Sequence, residues 1–216
     1  MDSVIGAVPD GWHSVPLSEV CEIRSGLNWN SLKKATNSDD GLAIISPGTI
    51  GNDQISVSDA RRINLESEKQ RVKYGFQLGD VAIIRVGKTI RHAQIEPSHL
   101  PSLIGNSCKA LRPHEGLVSA YLNCYLRHPA IGEWFEQHVR RGIVAILNDS
   151  ILGELPVVLP PLEVQHEIGE IASSFDQKIQ VHERIATTTR ALRDGLVPEL
   201  LVGSTAAGPR SRKKSR

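Results

Sequence analysis

Apolar and polar positions along the chain fall into two regimes. Short apolar runs alternate with polar turns over the first three quarters, and a long stripe at helical spacing follows. Pro16-Leu17-Ser18-Glu19-Val20-Cys21 predicts a short helix leading into a turn at Gly26. Leu42 to Ser46 predicts a buried strand stopped by Pro47-Gly48. The run from Ile55 to Ile63 alternates in part and predicts a second strand. The clearest strand runs from Asp80 to Gly87, after the turn Leu78-Gly79-Asp80. Its Val81, Ile83 and Ile84 are β-branched, which suits a pleated, buried surface. Ser107 to Pro113 predicts a further strand. Then the period changes. Leu117, Ala120, Tyr121, Tyr125 and Leu126 have helical spacing, broken at His128-Pro129. A second helix runs from Ile131 to about Val139, with Trp134 and Phe135, and Gly142 ends it. From Ile143 onward the apolar runs are short again and close on prolines.

Pro160-Pro161 cannot lie inside a helix but fits the start of one. Beyond it, apolar residues recur at Val164, Ile168, Ile171, Phe175, Ile179, Ile185, Leu192 and Leu196. Written as heptads, Ile168, Phe175, His182, Thr189 and Leu196 share one position, and Ile171, Lys178, Ile185 and Leu192 share the other. An apolar seam with a few polar members suits a coiled coil that needs register control. From Leu162 to Leu196 such a helix spans about 50 Å at about 1.5 Å per residue. It either folds back on its own domain or pairs with another helix. The uncovered length of stripe favours pairing. The fold class expected is α+β: one mixed domain followed by a long C-terminal coiled-coil helix. The domain limits are residues 1–160, 161–202 for the helix, and a disordered basic tail at 203–216.

Composition narrows the class. With 216 residues, 40% hydrophobic and 23% charged, the chain can bury one sizeable core. No apolar run approaches the roughly 18–20 residues of a membrane helix, and the N-terminus lacks the basic and apolar regions of a signal peptide. Cys21, Cys108 and Cys124 form neither a zinc spacing nor a disulfide framework, and they read as buried thiols in a reducing, cytoplasmic setting. The net charge of +1 conceals an asymmetry. Five of the 25 basic residues, Arg210, Arg212, Lys213, Lys214 and Arg216, lie in the tail, so 20 basic residues face 24 acidic ones in the body. Nucleic-acid binding by that body needs a local patch.

Catalytic motifs are absent from the sequence. It has no G-x-G-x-x-G after a strand, no H-E-x-x-H and no G-x-S-x-G, and its histidines lack metal-ligand spacing. Nor does it carry the D/N/S-P-P-Y/F motif of adenine methyltransferases. Ala82 to Thr89 is one glycine short of a P-loop, and its Ile-Ile-Arg-Val interior prefers a strand to a phosphate-wrapping loop. What remains is binding chemistry. The turn after the best strand carries Arg85, Lys88, Arg91 and His92, and a basic hairpin can deliver cations to phosphates or base edges. A second segment offers Arg24, Asn28 and Trp29, followed by Lys33 and Lys34. Further basic pairs are Arg61-Arg62 and Arg140-Arg141. The DNA-contact candidates are therefore Arg24, Asn28, Trp29, Lys33, Lys34, Arg85, Lys88, Arg91, Arg140 and Arg141. No metal site and no catalytic residue is expected.

The run Leu155-Pro156-Val157-Val158-Leu159-Pro160-Pro161-Leu162-Glu163-Val164-Gln165-His166-Glu167-Ile168 resembles the P-l-P-P-l-x-E-Q-x-x-I signature of type I restriction–modification specificity subunits. Ile171 and Phe175-Asp176-Gln177-Lys178-Ile179 resemble that family's conserved helix, and Leu192, Leu196, Leu200, Leu201 and Gly203 resemble its ending. Trp12, Leu17-Ser18-Glu19-Val20, Gly26 and Gly79-Asp80-Val81 are similar to the start and middle of a target recognition domain. The likeness spans residues 12 to about 203.

The resemblance implies a non-catalytic DNA-reading subunit without its own cofactor; S-adenosylmethionine and ATP would be bound by partner subunits. Its partners would be double-stranded DNA, methyltransferase subunits and a restriction/translocase subunit. Family members carry two recognition domains and two helices; this chain shows one of each and no internal repeat. It reads as a half-subunit that pairs as a homodimer through Ile168, Ile171, Phe175, Ile179, Ile185, Leu192 and Leu196. The alternatives are a fragment of a two-domain subunit, or a stand-alone defence or regulatory DNA-binding protein.

Overall fold

The computed structural model describes residues 2–28, 30, 36–51, 54–65, 67–86, 89–138 and 148–201. The N-terminal segment forms a small hairpin, β1 (Asp2–Ser3) with β2 (Gly6–Ala7), then β3 (His13–Pro16), the single-turn α1 (Leu17–Val20) and β4 (Cys21–Ser25). β5 (Thr36–Ile45), β6 (Arg62–Asn64) and α2 (Glu68–Tyr74) follow. Next come the hairpin β7 (Val81–Val86) and β8 (Thr89–Gln94), β9 (Ser102–Ile104) and β10 (Cys108–Pro113). α3 (Ser119–Tyr125), α4 (Pro129–His138), α5 (Asp149–Gly153), β11 (Pro156–Leu159) and the 40-residue α6 (Leu162–Leu201) complete the chain. The α+β class expected from the sequence is observed, with a long C-terminal helix. The chain divides into two compact units, Met1–Ser173 and Ser174–Arg216, and the division falls inside α6.

A four-stranded antiparallel sheet in the order β4-β10-β7-β8 organises the first unit. Strand alternation divides its residues between two faces. Val81, Ile83 and Leu111 join Leu17, Tyr121, Phe135 and Val157 in one core. Ala82, Ile84, Cys108 and Ala110 join Ile45, Ile50, Phe76 and Ile104 in another. A third cluster gathers Leu27, Ile44, Ile63, Leu65, Tyr74 and Leu103 around the sheet β6-β5-β9, in which β5 and β9 are parallel. A side chain at Gly26 would meet the Gly105 carbonyl oxygen at 1.9 Å, so only glycine admits this approach between segments. Burial pushes the thiols of Cys21 and Cys108 up to about 12, with Asp80 and Glu22 adding to the effect at Cys21.

The root of α6 is fixed by its own sequence. The Gln165 side chain is buried and makes three bonds. Its Oε1 accepts from Val118 N at 2.9 Å, and its Nε2 donates to the carbonyls of Gly116 (3.1 Å) and Pro160 (2.9 Å). One turn on, Gly169 faces α3, and an added Cβ would come within 2.9 Å of Ala120 Cβ. Tyr121 and Tyr125 of α3 donate to the carbonyls of Val158 (2.6 Å) and Pro156 (2.7 Å) in β11. Burial raises both phenol pKa values, that of Tyr125 to about 12.

Several elements differ from expectation. Residues 57–60 do not continue a strand. Ser56 Oγ donates to Asp59 Oδ2 at 2.7 Å and Ala60 N donates to Val57 O, so local polar bonds favour a turn, and only Arg62–Asn64 pairs with β5. The short helix stops at Val20, and Cys21 opens β4, because pairing with β10 outweighs the weak helical pattern. β5 begins at Thr36 rather than Leu42, extended by its ladder with β6. Between the predicted second helix and β11, α5 forms where only apolar runs were expected. Asn148 caps it, accepting from Ser150 N and Ile151 N. The tail from 203 lies outside the described residues.

Candidate nucleic-acid interface

The predicted basic hairpin exists. β7 and β8 pair from Val81↔Gln94 to Val86↔Thr89, and β8 is an edge strand. Alternation along β8 gives its residues different surroundings. Ile90 packs on the first core, and His92 is buried, its Nδ1 2.9 Å from Asn123 Oδ1 of α3. His92 therefore belongs to the interior, which corrects its placement in the basic turn. Arg91 lies opposite Ile84 and donates from Nη1 to the Ile50 carbonyl at 3.4 Å, a weak bond.

Arg91 borders two open clefts. One, of about 480 Å³, also takes in Thr89, Arg127, His128, Glu133 and Glu136. The other, of about 500 Å³, lies against residues 48–51 and 54–58 and includes Thr49, Gln54, Ser56 and Ser58. Carboxylates line the first cleft and none lines the described wall of the second.

The other sequence candidates scatter. Arg24 sits on β4, at the opposite edge of the sheet from Arg91, so the two do not converge. Its Nη2 donates to Val72 O (3.1 Å) and Lys73 O (2.8 Å) in the last turn of α2, and Glu22 lies 3.5 Å from its Nη1. A cation at those helix-end carbonyls is favourable and occupies the guanidinium. Arg61 and Arg62 are similarly engaged, with Asn37 Oδ1 at 2.8 Å and Gly41 O at 3.1 Å. Asn28 is exposed. Arg85 occupies the β7 position paired with Ile90. Trp29, Lys33, Lys34, Lys88, Arg140 and Arg141 lie outside the described residues. Among the described residues no His, Cys, Asp and Glu cluster could hold a metal, and no helix is long and apolar enough to cross a membrane.

Residues 9–188 match the family model described as Type I restriction modification DNA specificity domain. The chain belongs to that family.

Two curated relatives accompany the match. The chain is 26% identical over 205 residues to a Methanocaldococcus jannaschii protein named as a type I restriction enzyme MjaX specificity subunit, covering 91% of this chain and 47% of that one. It is 22% identical over 162 residues to the Escherichia coli type I restriction enzyme EcoBI specificity subunit, covering 74% and 34%. The chain thus spans about half or less of the length of these relatives. In fold it is similar to the HsdS subunit crystal structure from Thermoanaerobacter tengcongensis, with a TM-score of 0.58, 23% identity, and coverage of 83% and 41%.

Along α6 the helical seam has two kinds of position. Ile168 is half-buried and packs on the first core, so it serves its own domain. Ile171, Phe175, Ile179, Ile185, Leu192 and Leu196 are 52% to 59% exposed, far more than core residues of their size. Residues not singled out in the sequence also shape the site. Thr49, Gln54, Ser56 and Ser58 lack periodicity, and the Ile50↔Ile55 bridge helps fold them into a wall. Lys109 pairs with Asp149 and donates to Ser25 Oγ at 3.0 Å, tying α5 to the sheet.

Proposed function

We propose that this chain is a non-catalytic specificity subunit that directs a type I adenine methyltransferase/restriction complex to a bipartite DNA site, acting as a homodimer of half-subunits. One observation carries the reading. The specificity domain leads into a 40-residue helix whose apolar seam is exposed from Ile171 to Leu196. An exposed stripe of that length needs a partner helix. A second copy supplies one with matching register, and a two-fold dimer then reads two related half-sites at fixed separation. The methyltransferase subunits would bring S-adenosylmethionine, and the restriction subunit ATP. This chain would bring the address.

Sedimentation equilibrium and genome-wide mapping of methylated adenine test the proposal together. The wild-type chain is expected to sediment as a dimer and Ile171→Asp/Ile185→Asp as a monomer. Deleting the gene is expected to erase one bipartite methylated motif from the source genome. An unchanged dimer in the double variant would sink the helix pairing. A methylome unaltered by the deletion would sink the assignment to a methyltransferase complex.

A further inference from the structure

The cleft that Arg91 of β8 shares with residues 48–51 and 54–58 has the features of a reading pocket, not of a neutral crevice. Arg91 supplies the charge in its described lining. The facing wall is polar, with Gln54, Ser56 and Ser58. That wall is fixed by its own hydrogen bonds: Ser46 N to Thr49 Oγ1 (2.9 Å), Gly51 N to Gln54 O (2.9 Å) and Ser56 N to Thr49 O (2.9 Å). Arg91 itself is set by the sheet. Its backbone is paired opposite Ile84, and the next residue, His92, is anchored to Asn123. Its Nη1 already leans on the Ile50 carbonyl.

We infer that Arg91 is a base-reading residue of this chain, presenting its guanidinium from the cleft to the O6/N7 edge of a guanine in the major groove, with Gln54 in the same wall. The inference rests on the DNA-reading function proposed above and goes further by naming the residue and the base. Two arguments favour a base edge over a phosphate. A phosphate contact needs only a cation that reaches the backbone, whereas base reading needs a planar fork held in place beforehand. Arg91 is half-buried on a sheet strand, and one arm of its guanidinium contacts the Ile50 carbonyl. In addition, Arg and Gln are side chains whose donor and acceptor patterns match guanine and adenine.

Selection of duplexes from a randomised pool by the purified full-length chain, followed by sequencing, tests this. The wild type should enrich a motif containing a guanine. Arg91→Lys keeps the charge and loses the fork, so preference for that guanine should fall about tenfold or more, with the other positions and the salt slope retained. Gln54→Ala leaves β8 untouched and should relax a neighbouring position. It decides the matter if the Arg91 variant melts below the wild type. An unchanged motif in both variants overturns the inference alone, as does a uniform weakening of all sequences, the mark of a phosphate contact. A wild type that enriches no motif overturns the DNA-reading function and this inference with it.

Discussion

Gln165 Oε1 accepts a hydrogen bond from Val118 N at 2.9 Å, while the amide nitrogen of the same side chain spans two carbonyls, Gly116 O and Pro160 O. One buried amide thus satisfies three main-chain groups where α6 meets the loop before α3. The Pro160 carbonyl is buried and would lose this partner, while the Val118 and Gly116 groups are part-buried. Gln165→Ala is expected to lower stability by about 2–3 kcal/mol, given the cost of stranding buried polar groups. Gln165→Glu should do more damage at pH 8, because it sets an anionic oxygen against two carbonyls. Urea unfolding of the three proteins checks the order wild type, Ala, Glu.

Gly169 and Gly195 lie in the same helix and should answer oppositely to the same change. Gly169→Ala forces a methyl to 2.9 Å from Ala120 Cβ and 3.1 Å from Tyr121 N, so α3 and α6 must separate. A loss of about 1–3 kcal/mol is expected from overpacking. Gly195→Ala meets nothing within 4 Å and should be neutral or stabilising, by up to about 1 kcal/mol of helix propensity. Melting temperatures of the two variants give the comparison.

Asp80 is buried and accepts two bonds of 2.8 Å from Arg112, from Nε and Nη2, and a third from Gln77 N at 2.8 Å. The bond to Asp80 raises the Arg112 pKa. Asp80→Asn breaks a buried pair and should cost on the order of 3 kcal/mol. Arg112→Met added to Asp80→Asn should cost less than the sum of the two single changes. Denaturant midpoints for the four members of the cycle read the coupling directly.

Alkaline pH should weaken the fold. Cys21 and Cys108 are raised from 9.0 to about 12 in the folded chain, and Tyr125 from 10.0 to about 12. The folded state keeps these protons while the unfolded state loses them. Stability from this source is complete below about pH 9 and is lost as pH rises from there to about 12. The urea midpoint should be flat in this respect up to about pH 9 and then fall, less steeply in Cys21→Ala/Cys108→Ala. A midpoint level to pH 11 would contradict the assignment.

β7 and α6 were the most legible elements, for physical reasons. A run of β-branched residues has few alternatives to a buried strand, and a stripe opened by two prolines has few alternatives to a long helix. β4 was not legible. Cys21–Ser25 places Glu22 and Arg24 among its five residues and becomes a strand through its ladder with β10. The extra length of β5 was hidden in the same way, since Thr36–Asp40 is polar and finds its pairing partner only at β6. The candidate site shows the same limit. Arg91 stood out as a cation after a strand. The engagement of Arg24 at α2 did not, because Val72 and Lys73 come from a distant stretch of chain.

β3 and β11 pair from His13↔Leu159 to Pro16↔Pro156, and Leu17 N donates to Leu155 O just beyond. β3 finds its partner only near the end of the first unit. During synthesis, Val15 must therefore wait for Val157 to leave the ribosome. An arrested nascent chain that stops short of β11 would hold β3 unpaired and the first core incomplete, open to proteases and chaperones. Because Gln165 and Ile168 pack on that same unit, its closure also waits for the first turns of α6.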